Sequence, residues 1–133
     1  MIGSSIYNQL STSSAVTNLV GTRIYPNNIK EREAFPQLVY EIKNNVRDDS
    51  LNGETGLASI EVTIIAVSLS YATTDSIADA VASALHNQTG VWSGVTVQGC
   101  FLTDIVDDTV VETESDRILY YLKESTYLVW YQT

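Results

Sequence analysis

The sequence predicts an α+β fold: a largely antiparallel sheet with helices packed on one face, in the order α-β-β-α-β-β, with extended β-hairpin arms. Three observations predict it. Apolar residues recur at helical spacing before Gly21 and again around Ile77 to Leu85. From Pro36 the period changes to two, as in half-buried strands. The chain has 133 residues, which suits one core over 1–133 and leaves no room for a second.

The first helical segment carries Ile6, Leu10, Val16, Leu19 and Val20, with Ser4 or Ser5 as N-cap and Gly21 as the residue past its end. The polar patch Ser11-Thr12-Ser13-Ser14 divides it into two short helices, the second capped by Ser13 or Ser14. Gly21 to Pro26 then reads as a connector. In the first strand Leu38, Tyr40 and Ile42 alternate with Gln37, Glu41 and Lys43. The second, Ala58 to Leu69, begins with the same alternation and then fills both faces from Ile64 to Val67, as a central strand does. Asn52-Gly53 between them is a strong hairpin signal, because both residues tolerate positive φ. Thr73 or Thr74 opens the clearest helix, whose stripe is Ile77, Val81, Ala84 and Leu85 and whose end is followed by Gly90. Two β-prone runs follow, Gly94 to Glu112 and Arg117 to Gln132, parted by a turn over Thr113 to Asp116.

The lengths of these runs imply projections. Arg117 to Gln132 would span about 53 Å at about 3.3 Å per residue, against about 17–20 Å for an ordinary strand. Unless a bend at Glu124-Ser125 divides it, part of that hairpin leaves the globule. Lys43 to Leu57, polar and too long for a tight turn, is a second projection. Extended arms on a small domain suit pairing with copies or neighbours. The candidate subunit or partner interface is therefore Arg47, Asp48, Asp49 and Asn52 on one arm and Asp107, Asp108, Glu112, Glu114 and Asp116 on the other.

Composition removes several classes of function. Seven Lys and Arg against sixteen Asp and Glu give 7 − 16 = −9, which repels nucleic-acid phosphate and anionic lipid. With one Cys and one His, no disulfide framework and no zinc site built from those residues alone is available. No apolar run approaches the roughly 20 residues needed to span a bilayer, and the first fourteen residues lack a basic start and an apolar block.

The search for chemistry is equally negative. There is no Gly-rich phosphate loop, no nucleophile elbow, no Cys-x-x-Cys and no His-Glu-x-x-His. His86 reads as a residue at a helix C-terminus rather than a base. Cys100, without a basic neighbour, reads as a buried structural thiol. The run Asp104, Asp107, Asp108, Glu112, Glu114 and Asp116 holds no Lys or Arg and fits no EF-hand spacing, so it reads first as a solvated arm and next as an interaction surface. No cofactor is expected. Tyr120, Tyr121, Tyr127, Trp130 and Tyr131 concentrate in the last strand, where core packing and a subunit interface both use such residues.

The ordered segments resemble a known family. Gly21-Thr22-Arg23-Ile24-Tyr25-Pro26 ends the helical pair, followed by Phe35-Pro36-Gln37-Leu38-Val39-Tyr40-Glu41, Leu51-Asn52-Gly53 and Gly56-Leu57. After Ile60 to Ala66 comes Ala78-Asp79-Ala80-Val81, and Tyr127-Leu128-Val129-Trp130-Tyr131 closes the chain. Over nearly its whole length this resembles the tail completion proteins of tailed bacteriophages, the terminator or tail-to-head joining proteins of long non-contractile tails. The resemblance implies a non-enzymatic virion protein, assembled in the host cytoplasm. It implies a homohexameric ring at the head-tail joint that caps the tail tube and ends its polymerisation. Its partners would be further copies of itself, the tail tube protein and a head-completion or neck protein. DNA would pass through without specific binding. The alternatives are a head-closure or adaptor ring of the neck and, from another class, a small acidic DNA mimic. The second fits poorly, since charged residues are only 17% of the chain and the carboxylates cluster.

Overall fold

The structure, a computed structural model, describes residues 2–30, 34–50, 53–111 and 117–132, with side chains for all of these except 45–50 and 53–55. Helices α1 (Ile2–Ser11) and α2 (Ser14–Val20) are followed by strands β1 (Ile24–Pro26), β2 (Gln37–Ser50) and β3 (Gly53–Ser68). Helix α3 (Tyr71–Leu85) leads to β4 (Gly90–Trp92), β5 (Val95–Val111) and β6 (Ile118–Gln132). The strands form one curled sheet in the order β1-β2-β3-β6-β5-β4. Only β1 and β2 run parallel; every other neighbouring pair is antiparallel.

Alternation assigns the two faces. Ile60, Val62, Ile64 and Ala66 of β3 lie with Tyr127 and Val129 of β6 in the core that the helices cover. Ile6 and Leu10 of α1, Val16 and Val20 of α2, and Ile77, Val81, Ala84 and Leu85 of α3 close this core. Each such side chain contributes about 1.5–3 kcal/mol relative to exposure. The intervening residues Ile65 and Val67 face the other way. They join Val39, Tyr120 and Leu122 in a smaller cluster packed by Ile29 and Phe35 from the segment before β2. Buried Gln37 pins that segment: its side-chain amide donates to the carbonyls of Lys30 and Ala34, and its Oε1 accepts from Lys30 N–H at 3.0 Å.

Several expectations are corrected. The reading of Gly21 to Pro26 as a connector misses β1, three residues long and too short to show a period. In the stretch Lys43 to Leu57, β2 and β3 stay paired as far as Ser50 opposite Gly53, with register shifts after Lys43 and Asp48. Of the Asn52-Gly53 turn signal, Asn52 lies outside the described residues and Gly53 starts β3. No bend divides β6 at Glu124-Ser125, because both residues are held between β3 and β5. Helix α3 begins three residues before Thr74, behind Ser70; Thr74 is buried and its hydroxyl donates to Tyr71 O at 2.6 Å. It ends at Leu85 with His86 as C-cap, followed by Asn87 at φ 59°, while Gly90 starts β4. Ser4 and Ser5 lie inside α1 rather than before it, whereas the break at Ser13 and the end at Gly21, φ 61°, fall where expected.

Register locates the two long hairpins. The β3–β6 ladder runs from Leu57 opposite Gln132 to Ser68 opposite Tyr121. Past one end of it, β2 and β3 continue to Ser50 and Gly53; past the other, β5 and β6 continue to Val111 and Ile118.

Candidate functional site

Of the residues expected at the interface, Asp107 and Asp108 are the two whose side chains are described. Arg47, Asp48 and Asp49 lie near the end of β2, where the backbone alone is described. Asn52, Glu112, Glu114 and Asp116 lie outside the described residues. Strand alternation separates the first two. Asp107 sits opposite Lys123 on the helix-bearing face, and Asp108 sits opposite Leu122 on the other face. They do not form one carboxylate site.

The picture of Asp107 as part of a freely solvated acidic run is corrected. Lys123 Nζ lies 3.1 Å from Asp107 Oδ1 and 2.8 Å from Asp75 Oδ1, with the lysine side chain only 12% exposed. Tyr71 Oη donates to Asp107 Oδ2 at 3.0 Å. The ammonium also lies 5.5 Å from the Tyr71 ring centre, within cation–π range. The Tyr121 ring meets Tyr71 edge-on at 6.0 Å. The hydrogen bonds from Lys123 and Tyr71 hold the Asp107 carboxyl below its ordinary range, and those to Asp75 and Asp107 raise the Lys123 ammonium above its own. The cluster ties the first turns of α3 to the middle of β5 and β6. Sequence reasoning missed Lys123, Tyr71 and Asp75, which are separated along the chain and meet only through the strand register. Lys123 stands in the same alternating set as Tyr121 and Ser125, which is the one signal that could have marked it.

Asp104 and Asp108 act locally instead. Ile105 N–H donates to Asp104 Oδ1 at 3.0 Å, and Thr109 N–H donates to Asp108 Oδ1 at 2.8 Å. His86 also serves the edge of β5, its Nδ1 accepting Leu102 N–H at 3.0 Å. Cys100 is fully buried, and burial pushes its thiol up to about 12. Among the described residues no three His, Cys, Asp or Glu side chains are placed to hold a metal ion.

What the arrangement does offer is surface for assembly. The β5–β6 hairpin exposes Ile105, Val106, Val111, Ile118 and Leu119, each 36–50% accessible. A recess of about 570 Å³, lined by Tyr7, Pro26, Tyr40 and Ile42 among others, opens on the helix-bearing face beside β1. On the opposite face a groove of about 520 Å³ lies over Leu57, Phe101 and Trp130.

No curated protein matches the chain. Among solved structures, a chain of the virion of a native gene transfer agent particle has the same fold, with a TM-score of 0.77. That likeness covers 96% of this chain and 92% of that one at 18% identity. A model of the tail completion protein gp17 family matches residues 4–120, most of the sequence, and the chain belongs to that family.

Proposed function

We propose that the protein is a structural component of a phage tail, with no enzymatic role. Copies form a ring, six by the family resemblance, that caps the tail tube, ends its polymerisation and presents the joint to the head. Family membership and the virion fold support the tail role. The observation that carries the assembly reading is the end of the β5–β6 hairpin, where Val111, Ile118 and Leu119 stay open to water beyond the ladder shared with β3. Contiguous apolar surface on a soluble domain marks a contact with another protein. The tail tube protein on one side and a head-completion or neck protein on the other are the expected neighbours. A net charge of −9 suits a ring through which DNA slides without sticking. Arg47, Asp48, Asp49, Asn52, Asp107, Asp108, Glu112, Glu114 and Asp116 remain the proposed contact residues, with Asp107 acting partly through its hold on α3.

Replacing Asn44–Gly56 by a two-residue Asn-Gly turn tests the part played by the β2–β3 hairpin, since Asn-Gly alone closes such a turn. The variant should fold, as judged by circular dichroism, yet leave tubes of uncontrolled length or tails that fail to join heads. Infectious particles with normal tails would contradict an assembly role for this hairpin.

A further inference from the structure

Both margins of the sheet carry a strand that is only half covered. On β2, β1 pairs with Leu38 to Tyr40, and Asn27 N–H donates to Tyr40 O at 2.9 Å. From Glu41 to Ser50 no further strand lies along that side of β2 among the described residues. On β5, β4 pairs with Val95 to Val97, Asn87 N–H donates to Cys100 O at 2.7 Å, and His86 accepts from Leu102. From Thr103 to Val111 that side of β5 is likewise open among the described residues. Long open edges are what another chain's edge pairs with.

Resting on the ring reading above, we infer that successive copies join edge to edge, the Glu41–Ser50 stretch of β2 in one copy pairing antiparallel with the Thr103–Val111 stretch of β5 in the next. Three features fit the two edges to each other. First, the sense is right. The strands β2, β3, β6 and β5 alternate in direction, so a second copy's β2 laid beside β5 continues the alternation.

Second, the stagger closes a ring. Through the ladders Asp107, at the centre of the open stretch of β5, is level with Lys123, Ala66 and Leu38. The open stretch of β2 is centred near residues 45–46, between six and seven rungs farther along because the shift after Lys43 puts one extra residue on β2, or about 22 Å at about 3.3 Å each. Six strands at about 4.8 Å make each copy about 29 Å wide. In a ring closed by rotation alone, that stagger over that width tilts the strands by about 37°, inside the 35–45° typical of closed barrels. The covering elements also clear one another. The second copy's β1 falls beyond Val111, and its β2 ends, at Ser50, short of β4.

Third, the same stagger brings Ile42 of the second copy level with Thr109 and Val110. Its recess at Tyr7, Pro26, Tyr40 and Ile42 opens on the helix-bearing face. Leu119 belongs to that face too, alternating with Tyr121 and Lys123, which contact α3, and it is exposed. The apolar hairpin end therefore meets an apolar recess. In the single copy, Asp104 and Asp108 occupy the N–H groups of Ile105 and Thr109. Leu102 directs its N–H away from β6, and the one-residue register shift before Asp104 passes that outward direction to Ile105 and Thr109. The two carboxylates thus guard the open edge until a matching strand displaces them.

The test uses the full chain. Thr109→Pro removes one outward N–H and suits an edge strand, so it should melt near the parent while raising the dissociation constant of the ring by roughly tenfold or more, the worth of about 1.4 kcal/mol. In case that variant misfolds, Lys43→Cys is mixed separately with Asp108→Cys and with Thr103→Cys under mild oxidant, buried Cys100 being left in place. Lys43 and Asp108 lie on the same face at matching levels across the inferred seam, so that mixture should cross-link, and the mixture with Thr103→Cys should not. Rings of normal mass from the Thr109→Pro variant, with no preference for Asp108→Cys, would overturn the edge pairing and leave the ring standing. Absence of any ring from the parent, both in solution by light scattering and on tail tubes by electron microscopy, would overturn the ring reading itself and the seam with it.

Discussion

Gln37 anchors the segment that covers the second face of the sheet, because its amide bridges two carbonyls and a backbone N–H there. Replacing it with Ala removes these hydrogen bonds to exposed Lys30 and Ala34, each worth about 0.5–1.5 kcal/mol. Urea denaturation should register that loss, and an unchanged midpoint would show that the segment is held by Phe35 and Ile29 alone. Cys100 provides a second residue-scale check. Its full burial and a thiol pushed up to about 12 keep it from reacting with a thiol reagent at neutral pH. Labelling should follow global unfolding as urea is added; rapid labelling of the native protein would contradict the packing of β5 against β6. The structural thiol was legible in the sequence, since no basic residue stands near it there. The role of Gln37 was not, because alternation alone puts it on an outward face, and only Ile29, Lys30, Ala34 and Phe35, packed or bonded over it, make that face an interior.

Helix α3 was the most legible element, and its stripe Ile77, Val81, Ala84 and Leu85 is buried as the spacing requires. Val81→Asp should therefore lower stability by about 3 kcal/mol or more, through an unpaired charge in the core. A melting temperature equal to the parent's would contradict the packing of α3 on β3 and β6. The ends of the helix were less legible: Thr74 and Gly90 look like boundary residues, yet Ser70 and Asn87 fill those positions through backbone conformation. The short strands β1 and β4 escaped altogether, since three residues show no period.

The tie between α3 and the β5–β6 hairpin predicts a dependence on pH. Asp107 is held below its ordinary value, so its contribution is present above the usual carboxylate value of about 3.9 and is lost as pH falls through the folded one. Lys123 is held above its ordinary value, so its contribution is present below about 10.4 and is lost as pH rises through the folded one. The difference in melting temperature between the parent and Lys123→Met should be widest near neutrality and shrink below about pH 4. A difference that stays flat with pH would assign the effect of Lys123 to its alkyl chain packing on Tyr71.

At the scale of the whole molecule, the sequence conveys the class of fold, the two long hairpins and the family resemblance, which the family match bears out. The lengths of the last runs were informative because no compact sheet needs strands of fifteen and seventeen residues. What could not be read was where the hairpins stand relative to each other, since that depends on β6 inserting between β3 and β5 rather than following the chain order. That insertion sends the two hairpins past opposite ends of the β3–β6 ladder and leaves a half-open strand at each margin. Strand alternation, for its part, puts Asp107 and Asp108 on opposite faces with different tasks. The proposed ring makes a direct demand on the assembled particle. Electron cryomicroscopy of tails purified with this protein, at a resolution that separates strands, should show one ring of copies closing the end of the tube nearest the head, with the sheet continuous from copy to copy. Tubes that end in an orderly way without a layer of this protein, or a layer placed elsewhere along the tail, would contradict it.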